Sequence, residues 1–268
     1  MADGRMSTFL DKDGSIIAEE KIIGIGASGI VVLHERNAIK LPIRRPETRP
    51  QKVALDLAAF EREQDIHRRL QPTPETSVKG VISYIRLDHG LIELKYMENG
   101  SLLKWLRQPT AEITIGLQVK WFHQLATGLA HIHNHRVIHG DISCRNILMD
   151  KDLNVVLADF GHSSMFSMQR NMIANGRDTN GRTVWTDLCQ LGGVFWSIAT
   201  GDLVDIDMHK TNGSRDEVAL PPRSALPSTD HIWASVLIDH CWIKGGYGDG
   251  ANTLVETLEC LQKGISTD

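Results

Sequence analysis

No run of 18 or more apolar residues occurs anywhere in the sequence, which excludes a helix able to cross a bilayer unaided. No secretory leader pattern opens it, and position 2 is Ala2, not the glycine that N-myristoylation needs. Cysteine is scarce: Cys144, Cys189, Cys241 and Cys260 are widely spaced, with no C-x-x-C. That argues against a disulfide framework or a zinc site and for free thiols in a reducing compartment. An excess of one charge is lacking too. Lys plus Arg number 29 against 33 for Asp plus Glu, giving a net charge of -4 and a pI near 6.3. No general attraction to nucleic acid or to an anionic membrane follows from such a balance. What is there is ordinary for a soluble globular chain, 41% hydrophobic and 23% charged. Its 268 residues suffice for one large domain or for two small lobes sharing a cleft. The expectation is a soluble, cytoplasmic protein.

One stretch organises the rest: His139-Gly140-Asp141-Ile142-Ser143-Cys144-Arg145-Asn146, followed by Asp159-Phe160-Gly161. Two apolar runs lie between them, Ile147–Met149 and Val155–Ala158, separated by Asp150-Lys151-Asp152-Leu153-Asn154, so the whole reads as loop, strand, turn, strand, loop. A hairpin of this kind brings the polar side chains at its open ends together. Asp141 can accept a proton, while Asn146 and Asp159 can offer oxygen ligands to a hard cation such as Mg²⁺. Such a set around a phosphate-bound metal suits phosphoryl transfer, in which positioning and charge neutralisation do most of the catalysis. An H-G-D or a D-F-G alone is more often a turn than a site; the two in order on a strand-turn-strand frame are far more specific.

On these residues the chain resembles the catalytic and metal-binding loops of the protein-kinase superfamily. Upstream, Gly24-Ile25-Gly26-Ala27-Ser28-Gly29-Ile30-Val31 fits G-x-G-x-x-G-x-V between β-branched residues. Read as strand, glycine turn, strand, it lets backbone N–H groups approach phosphates without Cβ obstruction. A dinucleotide-binding loop would open a helix instead, and Ile30-Val31-Val32-Leu33 is strand-like. Ala38-Ile39-Lys40 resembles the strand whose lysine pairs the α- and β-phosphates; its short distance from the glycines implies a trimmed hairpin. Residues 52–70 read as an amphipathic helix with Val53, Leu57, Phe60, Ile66 and Leu70 near one face. The pattern F-x-x-E-x-x-I-x-x-x-L makes Glu63 the partner of Lys40, with Glu61 competing. Strands follow over Val81–Leu87 and Leu91–Tyr96, then a hinge-like segment, Tyr96 to Leu102, entering a helix at Ser101. In that register Leu94 is the gatekeeper, and the backbone of Lys95 and Met97 meets adenine. The resemblance implies a nucleotide pocket of Ile23, Gly24, Gly26, Gly29, Val31, Ala38, Leu94, Lys95, Met97 and Leu148. Leu117 to His133 reads as a buried helix, with Val119, Phe122, Leu125, Leu129 and Ile132 inward. His123, His131, His133 and His135 have no metal-ligand pattern and read as surface or structural. Thr186 to Trp196 resembles a helix whose leading Asp187 braces the catalytic loop.

Three departures stand out. Gly140 occupies the place of the arginine of H-R-D, which normally reads a phosphate on the activation segment, so no switch of that type is expected. Ser143 stands where a lysine is common, and Arg145, four residues after Asp141, can supply positive charge near the γ-phosphate, compatible with either Ser/Thr or Tyr acceptors. Only 25 residues separate Gly161 from Asp187, with no A-P-E among them; the arginine that would pair with its glutamate is missing too, so no buried charge is left alone.

The expected fold is α+β and bilobal: a small, mostly β lobe over 1–95 with one main helix, and a mainly helical lobe over 96–268. The expected chemistry is an ATP- and Mg²⁺-dependent phosphotransfer in which Asp141, Lys40, Glu63 and Arg145 act on the reacting groups and Asn146 and Asp159 hold metal, as in diverged kinase-like proteins of fungal type. A protein hydroxyl is the default acceptor. Two other readings stand beside it. H-G-D-x-x-x-x-N without A-P-E also fits small-molecule kinases of the aminoglycoside and choline type, and a reduced peptide shelf fits a non-catalytic pseudokinase scaffold or a kinase fold repurposed for other chemistry. Ser163, Ser164, Ser167, Thr179 and Thr183 are candidate self-phosphorylation positions.

Overall fold

The computed structural model describes residues 9–26, 29–46, 48–108, 113–206, 208 and 219–265. Ala27 and Ser28 of the glycine motif lie outside the described residues. The chain divides into two compact units: Met1–Val78 with Ile82–Tyr96 and Phe160–His162, and Lys79–Val81 with Met97–Asp159 and Ser163–Asp268. No helix among the described residues is long and apolar enough to cross a membrane.

The first unit is a five-stranded antiparallel sheet, β1 (Ile22–Ile25), β2 (Ile30–His34), β3 (Asn37–Leu41), β4 (Tyr84–Asp88) and β5 (Leu91–Lys95), in the order β1-β2-β3-β5-β4. β2 and β3 are five residues each and share a two-residue turn, Glu35-Arg36; Glu35 takes the positive φ, 55°, that such a hairpin demands. Asn37 opens β3. Burial alternates along β2 and β3, and Ile30, Val32 and Leu41 form a core with Leu91, Phe9 and Ile17. A small hairpin bridged at Leu10 and Ile16 delivers Phe9 and Ile17 to the sheet.

α1 (Pro50–Leu70) begins with Pro at its first position, where the missing N–H costs nothing. Phe60, Ile66 and Leu70 are buried, Val53 and Leu57 half-buried. Its buried amides spend their hydrogen bonds on strand ends: Gln64 Nε2 donates to the Asp88 and Leu91 carbonyls, and Gln71 exchanges bonds with Tyr84. β4 starts at Tyr84, not at Val81. Val81 makes a lone bridge to Leu157 within the other unit, while the β4–β5 ladder runs through a register shift at Tyr84/Arg86 to the pair Tyr84–Leu94.

The second unit opens with a short strand β6 (Gly100–Ser101) and α2 (Leu102–Leu106), capped by the Ser101 hydroxyl. Then come α3 (Ile115–Asn134), β7 (Val137–Ile138), β8 (Ile147–Met149), β9 (Val155–Leu157), β10 (Ser164–Met165), α4 (Met172–Asn175), α5 (Val184–Thr200), α6 (Ser235–Cys241) and α7 (Ala251–Ile265). α3 is the axis. Its residues Phe122, Leu125, Leu129 and Ile132 are fully buried, and the Phe122 ring stacks on Phe195 of α5 with centroids 4.0 Å apart. Truncating such a phenylalanine costs about 3–5 kcal/mol. The β8–β9 turn is drawn by Asp150, whose carboxylate accepts from Asp152 N, Asn154 N and Asn154 Nδ2, while Leu153 takes φ 57°. α5 starts at a capping box of Thr183 and Thr186, and Gly201 ends it at φ 80°.

Candidate active site

In the first unit, Lys40 of β3 and Glu63 of α1 form an ion pair, Nζ to Oε1 at 2.6 Å, with side chains 6% and 2% exposed. Helical spacing decides between the two candidate glutamates. Glu63 lies on the face with Phe60 and Ile66, whereas Glu61 is turned to solvent, 3.7 Å from His89 Nδ1. Gly29 is required by the sheet: a Cβ there would meet the Leu41 carbonyl at 2.7 Å and the Lys40 side chain at 3.1 Å. Gly24 is not, since its Cβ would make only ordinary contact with Val31; what glycine leaves there is open backbone. Gly26 N donates to Gly29 O at 2.9 Å and closes the turn. Ile23 is exposed, Val31 half-buried, and Ala38 sits opposite Leu94 across the β3–β5 ladder, both buried. Lys95 donates its N–H to Ser83 O. Phe160 is buried in this unit edge-on to His67, ring centroids 5.1 Å apart.

In the second unit the sequence brings β7, β8 and β9 to one end, where the loop after β7 and the residue after Ala158 meet. His139 lies at the centre, fully buried and flanked by the carboxylates of Asp187, Asp141 and Asp159. Burial outweighs those three anions and holds its pKa below the ordinary 6.5. Asp187 Oδ2 accepts from His139 N at 2.8 Å and Oδ1 from Gly140 N at 2.9 Å. Gly140 takes φ 80°, a left-handed conformation that a side chain would strain. Asn146 Nδ2 donates to both the carbonyl and Oδ2 of Asp141, at 2.9 and 2.8 Å, which turns the amide oxygen the other way. Asp159 takes φ 65°, a strain of the kind that collects at functional sites. Leu148 lies half-buried in β8, paired with Ser101 and Val156. Met97 is buried, and its carbonyl accepts from Gly100 N.

Arg145 is spoken for: its NH2 lies 3.1 Å from Asp205 Oδ2, with both side chains largely exposed. Ser143 Oγ is buried with no hydrogen-bond partner among the described residues. Cys144 is no nucleophile, because burial pushes its thiol up to about 11. Of the five hydroxyls proposed for self-phosphorylation, Ser163 donates to His139 O, Ser164 to Asp178 and Thr183 caps α5; Ser167 and Thr179 are exposed. Sequence reading missed His133, whose Nε2 lies 2.9 Å from Asp187 Oδ2, and Gln190, whose Oε1 accepts from Ile142 N. No periodicity marks them. Their only signal was an incompletely apolar face on otherwise apolar helices.

Among the described residues no cluster of three or more His, Cys, Asp or Glu side chains is placed to hold a metal. Asn146 and Asp159 could each offer an oxygen to Mg²⁺, an ion that completes its shell with substrate phosphates and water.

A family model described as protein tyrosine and serine/threonine kinase matches residues 17–190, more than half of the chain. The dual specificity protein kinase pyk3 of Dictyostelium discoideum is 27% identical over 165 residues, 58% of this chain and 12% of that protein. The LRR receptor-like serine/threonine-protein kinase ERECTA of Arabidopsis thaliana is 35% identical over 159 residues, 54% of this chain and 15% of its own length. Ephrin type-B receptor 1-A of Xenopus laevis is 23% identical over 269 residues, 87% of this chain and 25% of that receptor. The chain thus spans a quarter or less of the length of each.

Proposed function

Because the chain belongs to the protein tyrosine and serine/threonine kinase family, we propose that it transfers the γ-phosphate of ATP to a hydroxyl group, on a protein by default, with Mg²⁺ as the metal. The observation that carries this reading is the convergence of Asp141 and Asp159 on one buried histidine, with Asn146 bonded to Asp141. It supports reading Asp141 as the proton acceptor and Asn146 and Asp159 as oxygen ligands at the ends of one short hairpin.

Each unit then has its own task. Glu63 compensates the charge of the buried Lys40 ammonium and fixes where it points, so that Lys40 can pair the phosphates. Gly24, Gly26 and Gly29 cover those phosphates with backbone N–H groups, beside Ile23, Val31, Ala38 and Leu94. Lys95 has its N–H committed and offers its carbonyl to adenine; Met97 has its carbonyl committed and offers its N–H. Asn146 holds Asp141 through Oδ2, leaving Oδ1 to orient the acceptor hydroxyl and take its proton. Asn146 Oδ1 and Asp159 would hold the metal, which would supply charge neutralisation at the phosphate oxygens. Arg145 adds positive charge when it leaves the exposed, weak pair with Asp205. The shortened segment after Gly161, without A-P-E, makes this an atypical member.

ATP turnover with Mg²⁺, wild type beside Asp141→Asn, followed by intact mass, tests the reading. Turnover lost in the variant together with added phosphate mass on the wild type supports transfer to protein. Turnover without mass gain moves the acceptor to a small molecule or water. Equal behaviour of the two proteins removes Asp141 from the chemistry.

A further inference from the structure

The stretch between Gly161 and Asp187 lacks the usual means of fixing itself: Gly140 has no side chain to read a phosphate, and A-P-E is missing. It is nevertheless closed, and one carboxylate closes it. Asp178 Oδ1 accepts from Asn180 N at 2.9 Å and Arg182 N at 2.8 Å, forming the turn; Oδ2 accepts from Ser164 Oγ at 2.8 Å and Arg182 Nε at 2.9 Å. The Asp178 side chain is 4% exposed and that of Arg182 14%. Backbone bonds run the same way, Asp178 N to Arg182 O at 3.0 Å and a bridge from Arg177 to Thr183, the cap of α5.

Both ends of this knot reach the catalytic loop. Ser164 lies in β10, paired with Ile138, the residue before His139. Arg182 NH1 stands 3.5 Å from the Gly140 carbonyl, at the long limit of a hydrogen bond, while Asp187 binds the N–H of the same glycine. The peptide groups on either side of Gly140 are therefore held from α5 and from the knot. We propose that Asp178 and Arg182 are positioning residues for Asp141, the buried Asp178 carboxylate tying Ser164 to Arg182 so that the catalytic loop is set without a phosphate on this segment. Physically, a desolvated carboxylate with four donors does what a phosphate does for a guanidinium elsewhere, but it is permanent. This rests on the phosphotransfer reading above.

Asp178→Asn is the sharpest test. It keeps Oδ1, which draws the turn, and replaces the Oδ2 acceptor by an amide donor that faces Ser164 and Arg182 Nε. We expect kcat to fall about ten- to a hundredfold, as for small misplacements of a reacting group, with KM for ATP moving less than about twofold, since Lys40 and Glu63 are untouched. Arg182→Lys should retain more kcat than Arg182→Gln. Phosphatase treatment of the wild type, and the double variant Ser167→Ala/Thr179→Ala, should leave kcat unchanged. Loss of activity in either would overturn the proposal, as would an unchanged kcat in Asp178→Asn. If the wild type shows no turnover at all, the functional reading fails and hydrogen exchange still decides the positioning role. Asp178→Asn should speed exchange of the Gly140, Asp141 and Ile142 amides about tenfold or more while amides in the middle of α5 stay as protected as before; unchanged exchange at the loop would sink it.

Discussion

The imidazole of His133 and the carboxylate of Asp187 meet at 2.9 Å in the interior of the helical unit, 7% and 0% exposed. The same carboxylate accepts the amides of His139 and Gly140, so three donors from two parts of the chain depend on one residue of α5.

Asp187→Ala should therefore cost about 3 kcal/mol or more, because it strands buried N–H groups that water cannot reach. His133→Phe removes one donor and leaves the two amides satisfied, and should cost about 1 kcal/mol. Urea unfolding of both variants measures the difference. Equal losses would mean that the amides are not what Asp187 serves.

Lys40 and Glu63 form the buried pair of the sheet unit, and removing one member leaves the other charge uncompensated. Lys40→Met and Glu63→Leu should each destabilise by about 3–5 kcal/mol, while the double variant recovers most of the loss, since an apolar pair of similar volume is often neutral. ATP binding should not return in the double variant. A double-mutant cycle from denaturant melts, run beside nucleotide titration, checks both halves; additive losses would mean that the pair is not coupled.

Much of this was legible in the sequence, and what was not has a common physical cause. The inward face of α3 follows from spacing alone, because Val119, Phe122, Leu125, Leu129 and Ile132 repeat with the helix and all are buried. The β8–β9 hairpin follows from two apolar runs about a turn-forming stretch. Periodicity has nothing to say about a polar side chain whose partner lies 54 residues away, which is why His133 read as surface or structural. Asp178 and Arg182 were invisible for the opposite reason. Asp178-Thr179-Asn180-Gly181-Arg182 looks like any turn, and only burial distinguishes a staple from a solvated loop. That Phe9 and Ile17 cover the sheet is decided by tertiary packing, which no local pattern records.

His139 gives the site a pH dependence whose sign is set by burial. Its folded pKa lies below 6.5, so as pH falls below 6.5 the unfolded chain takes up a proton that the folded chain resists. The stability tied to His139 is thus fully present above pH 6.5 and is lost as pH falls through the folded value. Denaturant melts from pH 8 down to pH 5 should show a steeper decline for the wild type than for His139→Gln. Identical slopes would show that the imidazole titrates as freely when folded as when unfolded.

Asp159 carries strain as well as charge, since a residue with a side chain is held at φ 65°. Asn tolerates that conformation about as well as Asp, whereas Ala does not, so Asp159→Ala should be less stable than Asp159→Asn by about 1 kcal/mol. Both variants should lose the Mg²⁺ dependence of nucleotide binding, because a carboxamide is a poor substitute for a carboxylate beside a divalent ion. Urea melts read the strain and calorimetric ATP titrations with and without Mg²⁺ read the metal. Equal stability of the two variants would mean the backbone at Asp159 is unstrained, while Mg²⁺-dependent binding retained in Asp159→Asn would move the metal away from this residue. The stability result and the binding result fail independently, which separates what Asp159 does for the fold from what it does for the chemistry.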